Sequence, residues 1–519
     1  MTAAAIALNR FGLGARPDQA ALDRPQAWLL AQLDRYEPRP AAIAALPPTS
    51  TIAGNLSDYL EMQRQNRCQK RDENPGTMAD RPQTPQRRRA AGYAPPPMSG
   101  EPMAGEAGLQ DKGGIGAMAE RGTAAPRDPV AQARRFARDQ ARSYYMGAVA
   151  ARAQTALTSP SPFAERLVHF WANHFAVSVD KLVVIGLAGQ LEFEAIRPHV
   201  MGKFGDMLQA VERHPAMLLY LDQAASIGPN STGGQIAARR QNAGLNENLA
   251  REILELHTLG VRTGYGQGDV TELARALTGW TVAGLGRGAG ARFVGIDGEP
   301  GSFVFAARLH EPGSRTVLGR PFAQAGEDQA AAVLDFLGTH PATARHITTK
   351  LARHFAGDDP PVALVARLET AFLKTGGDLP SLYRVLVDAP ECWIAPPVKF
   401  KNPWEWSIGA MRALGLREVQ PQAVTGLLTQ LGQPVWRPGS PAGWDDVAAS
   451  WAGPDAVMRR VEAAERMAGR ISDTLDARAR ASQLFPAALS DTTAQAIARA
   501  ESPSQGLALL LVAPESMRR

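Results

Sequence analysis

Two cysteines, Cys68 and Cys392, are all that this chain of 519 residues contains, far apart and without ligand spacing. That excludes a disulfide framework and a cysteine-built zinc site. Long apolar runs are missing as well: nothing approaches the roughly 18 apolar residues of a membrane-spanning helix. The stretch from Met1 to Arg10 lacks the basic region and apolar core of a secretory signal. Cytoplasmic residence is therefore expected, while periplasmic residence by export with a signal-bearing partner stays open. There is no phosphate loop, nucleophile elbow, His-Glu-x-x-His zinc helix or dinucleotide fingerprint, and no fixed-period repeat.

The charge surplus is local. The chain carries 56 Lys and Arg against 51 Asp and Glu, a net +5. Between Arg64 and Arg142 the count is 15 against 9, which leaves 41 basic and 42 acidic residues elsewhere. The balanced remainder has no basic stripe interleaved with aromatics, so specific nucleic-acid binding is not expected. The basic segment, residues 63–129, is rich in Pro, Gly, Gln and Met and reads as a disordered, low-complexity insertion. A docking arm for an acidic partner is its functional alternative.

Apolar residues at helical spacing dominate the rest. The fold expected is mainly α: a large multi-helical domain with a small β-hairpin insertion and a long disordered loop. Its parts are an N-terminal helical portion (1–62), the insertion (63–129) and the main helical domain (130–519). Long helices are expected over 129–158, 162–176, 247–259, 340–355 and 379–388, among others. Gly260 and Gly279 stand at C-cap positions. Phe303 to Phe305 and Thr316 to Leu318 flank the Glu311-Pro312-Gly313-Ser314 turn and read as two short strands. Residues 433–438, with two prolines, read as extended.

Three stretches could carry chemistry. In Asn246 to Gly260, one face is apolar with His257 near its middle, pointing inward; Asn248, Arg251, Glu252 and Glu255 fall opposite, where Arg251 pairs with Glu255 at i+4. In Glu165 to Phe175, His169 and Asn173 share a face with Glu165. His174 lies about 140° around the axis, so both histidines cannot bind one ion from a straight helix. A metal would need His169 with Asn173 or Glu165 and ligands from elsewhere, for which His257, His310 and His354 qualify. The third stripe, His346, Lys350 and His354 at i, i+4 and i+8, suits an anion better than a metal, and Arg353, Lys399 and Lys401 could extend it. His310 is expected to be exposed, and His199, His214 and His340 to act as turn or cap residues.

Across the chain, Leu8 to Gly14, Phe170-Trp171-Ala172-Asn173-His174-Phe175, Asn246 to Gly260, Asp269 to Trp280, Leu309-His310, Lys399 to Trp406, Gly432-Gln433-Pro434 and Ala442-Gly443-Trp444 resemble the bacterial domain-of-unknown-function 1800 family. That resemblance implies a large, mostly helical domain. It also implies a protein partner from a second uncharacterised family, sulfatase- or phosphatase-like and carrying an export signal. It assigns no catalytic residue. A fainter likeness links Asn246-Glu247-Asn248, His257-Thr258-Leu259, Trp171 and His174 to animal-type haem peroxidases, without their Asp-His-Asp distal pattern.

Two functional expectations follow. One is a binding or accessory protein working beside an enzymatic or exported partner through a polar cleft between the Glu165–His174 and Asn246–His257 helices, lined by His169, Asn173, Asn248, His257, Lys350 and His354. The other is a metal- or carboxylate-dependent, hydrolase-like enzyme with Glu252, Glu255 and Arg251 as its candidate catalytic residues, the two carboxylates doing acid–base or metal-assisted work with His169 and His257. Neither names a metal or cofactor.

Overall fold

The computed structural model describes residues 2–73, 129–238, 244–286, 291–397, 399–471, 475–485 and 487–519. The structure is mainly helical, with two small antiparallel two-stranded sheets. Most of the low-complexity insertion, residues 74–128, lies outside the described residues, as does part of the glycine-rich stretch 284–290. The helix before the insertion, Thr49–Glu73, continues well past residue 63.

Four helices position the site: α1 (Pro129–Thr158), α2 (Pro162–His174), α3 (Pro341–Ala356) and α4 (Pro403–Ala413). Each begins with proline in its first turn, where the missing N–H costs no hydrogen bond and the fixed φ favours helix. In α4 the Asn402 side chain accepts from the Glu405 N–H and Glu405 reciprocates toward the Asn402 N–H, a capping box that pins Glu405 at the helix mouth. The caps expected of His214 and His340 are present: each accepts a backbone N–H two residues on.

Three segments widen into π-helical turns: Ala7–Phe11, Leu191–Ile196 and Ile253–His257. Such turns rotate the residues that follow relative to a regular wheel and recur near functional sites. Here each offers an acceptor to a side chain that lines one cavity, described below.

Both expected strands exist, but they do not pair with each other. Phe303–Phe305 (β2) pairs with Trp280–Val282 (β1), and Arg315–Val317 (β3) with Arg320–Phe322 (β4). The reason is local. Leu318 and Gly319 both have positive φ, 51° and 73°, a two-residue turn that folds β3 back on the next three residues. Pro321 fits because β4 is an edge strand. Residues 433–438 are not a plain extended run either, since Trp436 sits at φ 47°, and its ring packs on Gly189.

Most apolar side chains belong to one large cluster in which Phe11, Phe163 and Phe355 stack together. Trp171 is fully buried in it, and its indole N–H donates to the Tyr383 hydroxyl at 2.7 Å. A second cluster joins Phe400 and Trp406 to the C-terminal helices Pro454–Arg470 and Pro503–Val512. The site lies where α2 and α3 of the first cluster meet the start of α4.

Candidate functional site

A cavity of about 250 Å³ opens between α2, α3, the mouth of α4 and the loop 433–447. Helix α2 contributes Arg166, His169, Asn173 and His174; α3 contributes Lys350, Arg353 and His354. The loop is tied down by Asn173, whose amide donates to the Trp444 carbonyl and accepts from the Trp444 N–H, both at 2.8 Å. A side-chain amide thus imitates a strand partner. It fixes the residues just before Asp445 and Asp446.

Beneath the cavity, Glu405 is clamped by two buried guanidiniums. Arg166 pairs with Oε1, and Arg519 reaches Oε1 at 2.9 Å and Oε2 at 3.0 Å. Burial alone would raise the Glu405 carboxyl, but Arg519 and Arg166 outweigh it and hold the group well below the usual carboxylate range. Arg166 also donates to the Gly12 carbonyl, which caps the first π-helical turn. Arg152 pairs with Glu192 of the second π-helical turn and lies 4.1 Å over the Trp404 ring.

His354 Nδ1 lies 2.8 Å from Asp446 Oδ2, which places the imidazole proton on Nδ1. Burial lowers His354 to about 4, against the opposing pull of Asp446, so the ring is neutral near pH 7. Its Nε2 is buried without a hydrogen-bond partner among the described residues. Lys399 braces the carboxylate from behind, with Nζ at 3.1 Å from Asp446 Oδ1. A carboxylate thus orients a neutral imidazole whose second nitrogen lies buried 3.9 Å from Glu405 Oε1.

Lys350 is a cation of the wall with no ion pair among the described residues. Its Nζ donates to His174 Nδ1 at 2.9 Å. The His174 proton therefore sits on Nε2 and is given to the His257 carbonyl at 3.2 Å, in the third π-helical turn. His257 Nδ1 in turn donates to Glu212 Oε1 at 2.7 Å, with both side chains fully buried. Burial keeps His174 well below the ordinary histidine range, with Lys350 adding to that, so the lysine faces a neutral ring. Among the described residues neither Lys350 nor Arg353 has a carboxylate at ion-pair distance, whereas Lys399 has two. Burial lowers Lys350 to about 8. His169 resembles His354 in reverse: its Nδ1 accepts from the Trp404 indole at 3.1 Å, so Nε2 carries the proton and is buried without a hydrogen-bond partner among the described residues.

Of the sequence-derived residues, His169, Asn173, Lys350 and His354 meet around this cavity. His257 points inward as the apolar stripe required and touches the site only through its carbonyl. Asn248, Arg251, Glu252 and Glu255 do not line the cavity. Arg251 makes the expected bond to Glu255, at 3.2 Å, and lies 3.6 Å from Glu247, Asn248 is exposed, and burial raises the Glu252 carboxyl. The cavity thus lies between α2, α3 and α4, and not between α2 and the Asn248–His257 segment. Glu165 leaves the expected α2 ladder for a buried bidentate pair with Arg197, at 2.7 and 2.9 Å. Lys399 and Lys401 are buried and do not extend a surface patch. His310 is half-buried, with Nδ1 at 2.8 Å from the Thr278 carbonyl.

The haem likeness meets a steric obstacle. The His174 and His257 rings are 6.3 Å apart and Phe175 packs 5.3 Å from His257, leaving no slot for a macrocycle between them. Among the described residues no group of three or more His, Cys, Asp and Glu side chains has metal-holding geometry. No described helix is long and apolar enough to cross a membrane.

Sequence reasoning passed over Glu405 and Asp446. The Asn402-Pro403-Trp404-Glu405 capping box was a visible signal for the first. The Asp445-Asp446 pair after Gly443-Trp444 had none until the loop's place was known.

The chain matches the family described as protein of unknown function (DUF1800) over residues 6–518 and belongs to it. No curated protein and no solved structure matches.

Proposed function

We propose that this member of the DUF1800 family is a binding protein whose cavity takes a small organic anion. One observation carries the reading: the Lys350 ammonium borders the cavity with a neutral imidazole as its only hydrogen-bond partner among the described residues. A half-buried cation without a counterion is costly, and a ligand carboxylate, sulfate or phosphate would offset that cost. Trp404, Trp436 and Trp444 line the same space and suit an organic body better than a bare ion.

Titration calorimetry with acetate, glycolate, sulfate and phosphate tests this. At least one is expected to bind saturably at one site per chain. Lys350→Met should weaken that binding at least tenfold, about 1.4 kcal/mol. The ammonium exists below its pKa, so affinity should hold at pH 6–7 and fall as pH rises through about 8. Absence of saturable binding, or binding indifferent to both Lys350 and pH, refutes the reading.

The accessory half of the proposal, action beside a sulfatase- or phosphatase-like partner, is supported by the family resemblance. The partner would also decide between a cytoplasmic and a periplasmic place of action. A second reading, an enzyme, is favoured by the unpartnered Nε2 of His354 on its Asp446 support. It shifts the acid–base role from Glu252, Glu255 and Arg251, which lie outside this cavity, to His354.

A further inference from the structure

Helix α3 presents three groups to the cavity within two turns: Lys350, Arg353 and His354. They differ in what they can do. Arg353 is a planar fork suited to a carboxylate, and among the described residues its side chain bonds through Nε alone, to the Asp358 carbonyl at 3.2 Å. Among the described residues Lys350 has no carboxylate at ion-pair distance, Asp446 acting on it only from farther away, and its Nζ rests on the neutral His174 Nδ1 at 2.9 Å; His354 one turn on keeps a buried Nε2, 3.9 Å from Glu405 Oε1. Lysines stripped of counterions and partly desolvated are the ones that act as nucleophiles toward carbonyl carbon.

We propose that Lys350 is a Schiff-base lysine that condenses with the carbonyl of a small 2-oxo acid whose carboxylate rests on Arg353. This deepens the anion-binding reading and rests on it. The chemistry closes without a further reactant. The ammonium gives up two protons and forms a C=N bond, the carbonyl oxygen leaves with those two protons as water, and the positive charge stays on the iminium nitrogen. His174 Nδ1, which already accepts from Nζ at 2.9 Å, is the acceptor that carries these protons from nitrogen to oxygen. The desolvation that lowers Lys350 to about 8 leaves a useful fraction of free amine at neutral pH.

The test uses the full chain with glyoxylate, the smallest 2-oxo acid, and sodium borohydride, which reduces an imine to a stable carboxymethyl amine. One carboxymethyl group per chain is expected, mapped by peptide mass spectrometry to Lys350 and saturating with glyoxylate. Lys350→Arg, checked for an unchanged melting temperature, should lose that adduct. His174→Gln, checked in the same way, should slow its formation at least tenfold. Labelling spread over surface lysines, or concentrated on the buried Lys401, overturns the proposal. Glycolate, which has the carboxylate but no carbonyl, separates the two readings in a parallel titration. Glycolate binding without a Lys350 adduct removes the Schiff base and keeps the anion site, whereas no binding and no adduct removes both.

Discussion

Glu405→Gln is expected to destabilise the protein by about 3–5 kcal/mol, the usual cost of removing one partner from a buried ion pair. The side chain of Glu405 is 6 % exposed, that of Arg166 2 % and that of Arg519 0 %. Glutamine has nearly the same shape, so packing would be kept and the loss would be electrostatic. Two guanidiniums would face a neutral amide with a single acceptor oxygen, leaving N–H groups buried and unsatisfied. The pH dependence gives a second signature. The Glu405 pKa lies well below its ordinary value of 4.5 in the folded state. Its contribution is therefore fully present above pH 4.5 and is lost as pH falls through the folded value. The variant should lack that part of the acid sensitivity. Urea denaturation at pH 7 and pH 4 measures both; a variant as stable as the parent at pH 7 would mean that the triad contributes nothing net.

The same cluster shows what sequence alone could reveal. An Asn-Pro-x-Glu start is a local pattern, so the helix beginning at Pro403 and the inward cap of Glu405 were readable within four residues. The α3 stripe was readable for the same reason: i, i+4 spacing places Lys350 and His354 on one face whatever the fold. The partners were not. Arg166 lies 239 residues from Glu405, and Asp446 lies 92 from His354. No periodicity links positions that only the tertiary fold brings together. Misreading of the hairpins has a similar cause, because strand existence depends on local composition while pairing depends on the positive-φ turn at Leu318-Gly319.

The Asn246–Gly260 stretch teaches a different lesson. Its density of polar groups suggested a site, yet Arg251, Glu247, Glu255 and Gln267 satisfy one another at the protein surface. The part that meets the cavity's lining is the His257 backbone carbonyl, which accepts from His174 in a π-helical turn. Side-chain reasoning has no means of seeing a carbonyl, and the wheel assumed a regular helix. What the stripe did give correctly was the inward direction of His257.

Gly443→Ala is expected to abolish ligand binding while costing less stability than Glu405→Gln. Gly443 has φ 80°, a left-handed conformation that costs a non-glycine residue about 1–3 kcal/mol. An added Cβ would also collide with the Asn173 carbonyl oxygen and come within 2.8 Å of its side-chain Oδ1. Neither atom can yield, because Asn173 belongs to the last turn of α2 and its amide holds both backbone groups of Trp444. The loop must therefore move, and Asp446 moves with it. His354 then loses the acceptor of its Nδ1 proton, and Lys399 loses one of its two carboxylates. Val435 and Trp436, the loop's members of the large apolar cluster, precede Gly443 by seven residues or more, and Trp444 only flanks the second cluster, so the helices should remain folded. Helical circular dichroism close to the parent together with loss of glycolate binding is the expected pair of results. Retained binding would mean that Lys350 and Arg353 hold the anion without the loop, and that Asp446 belongs to the base on His354 alone.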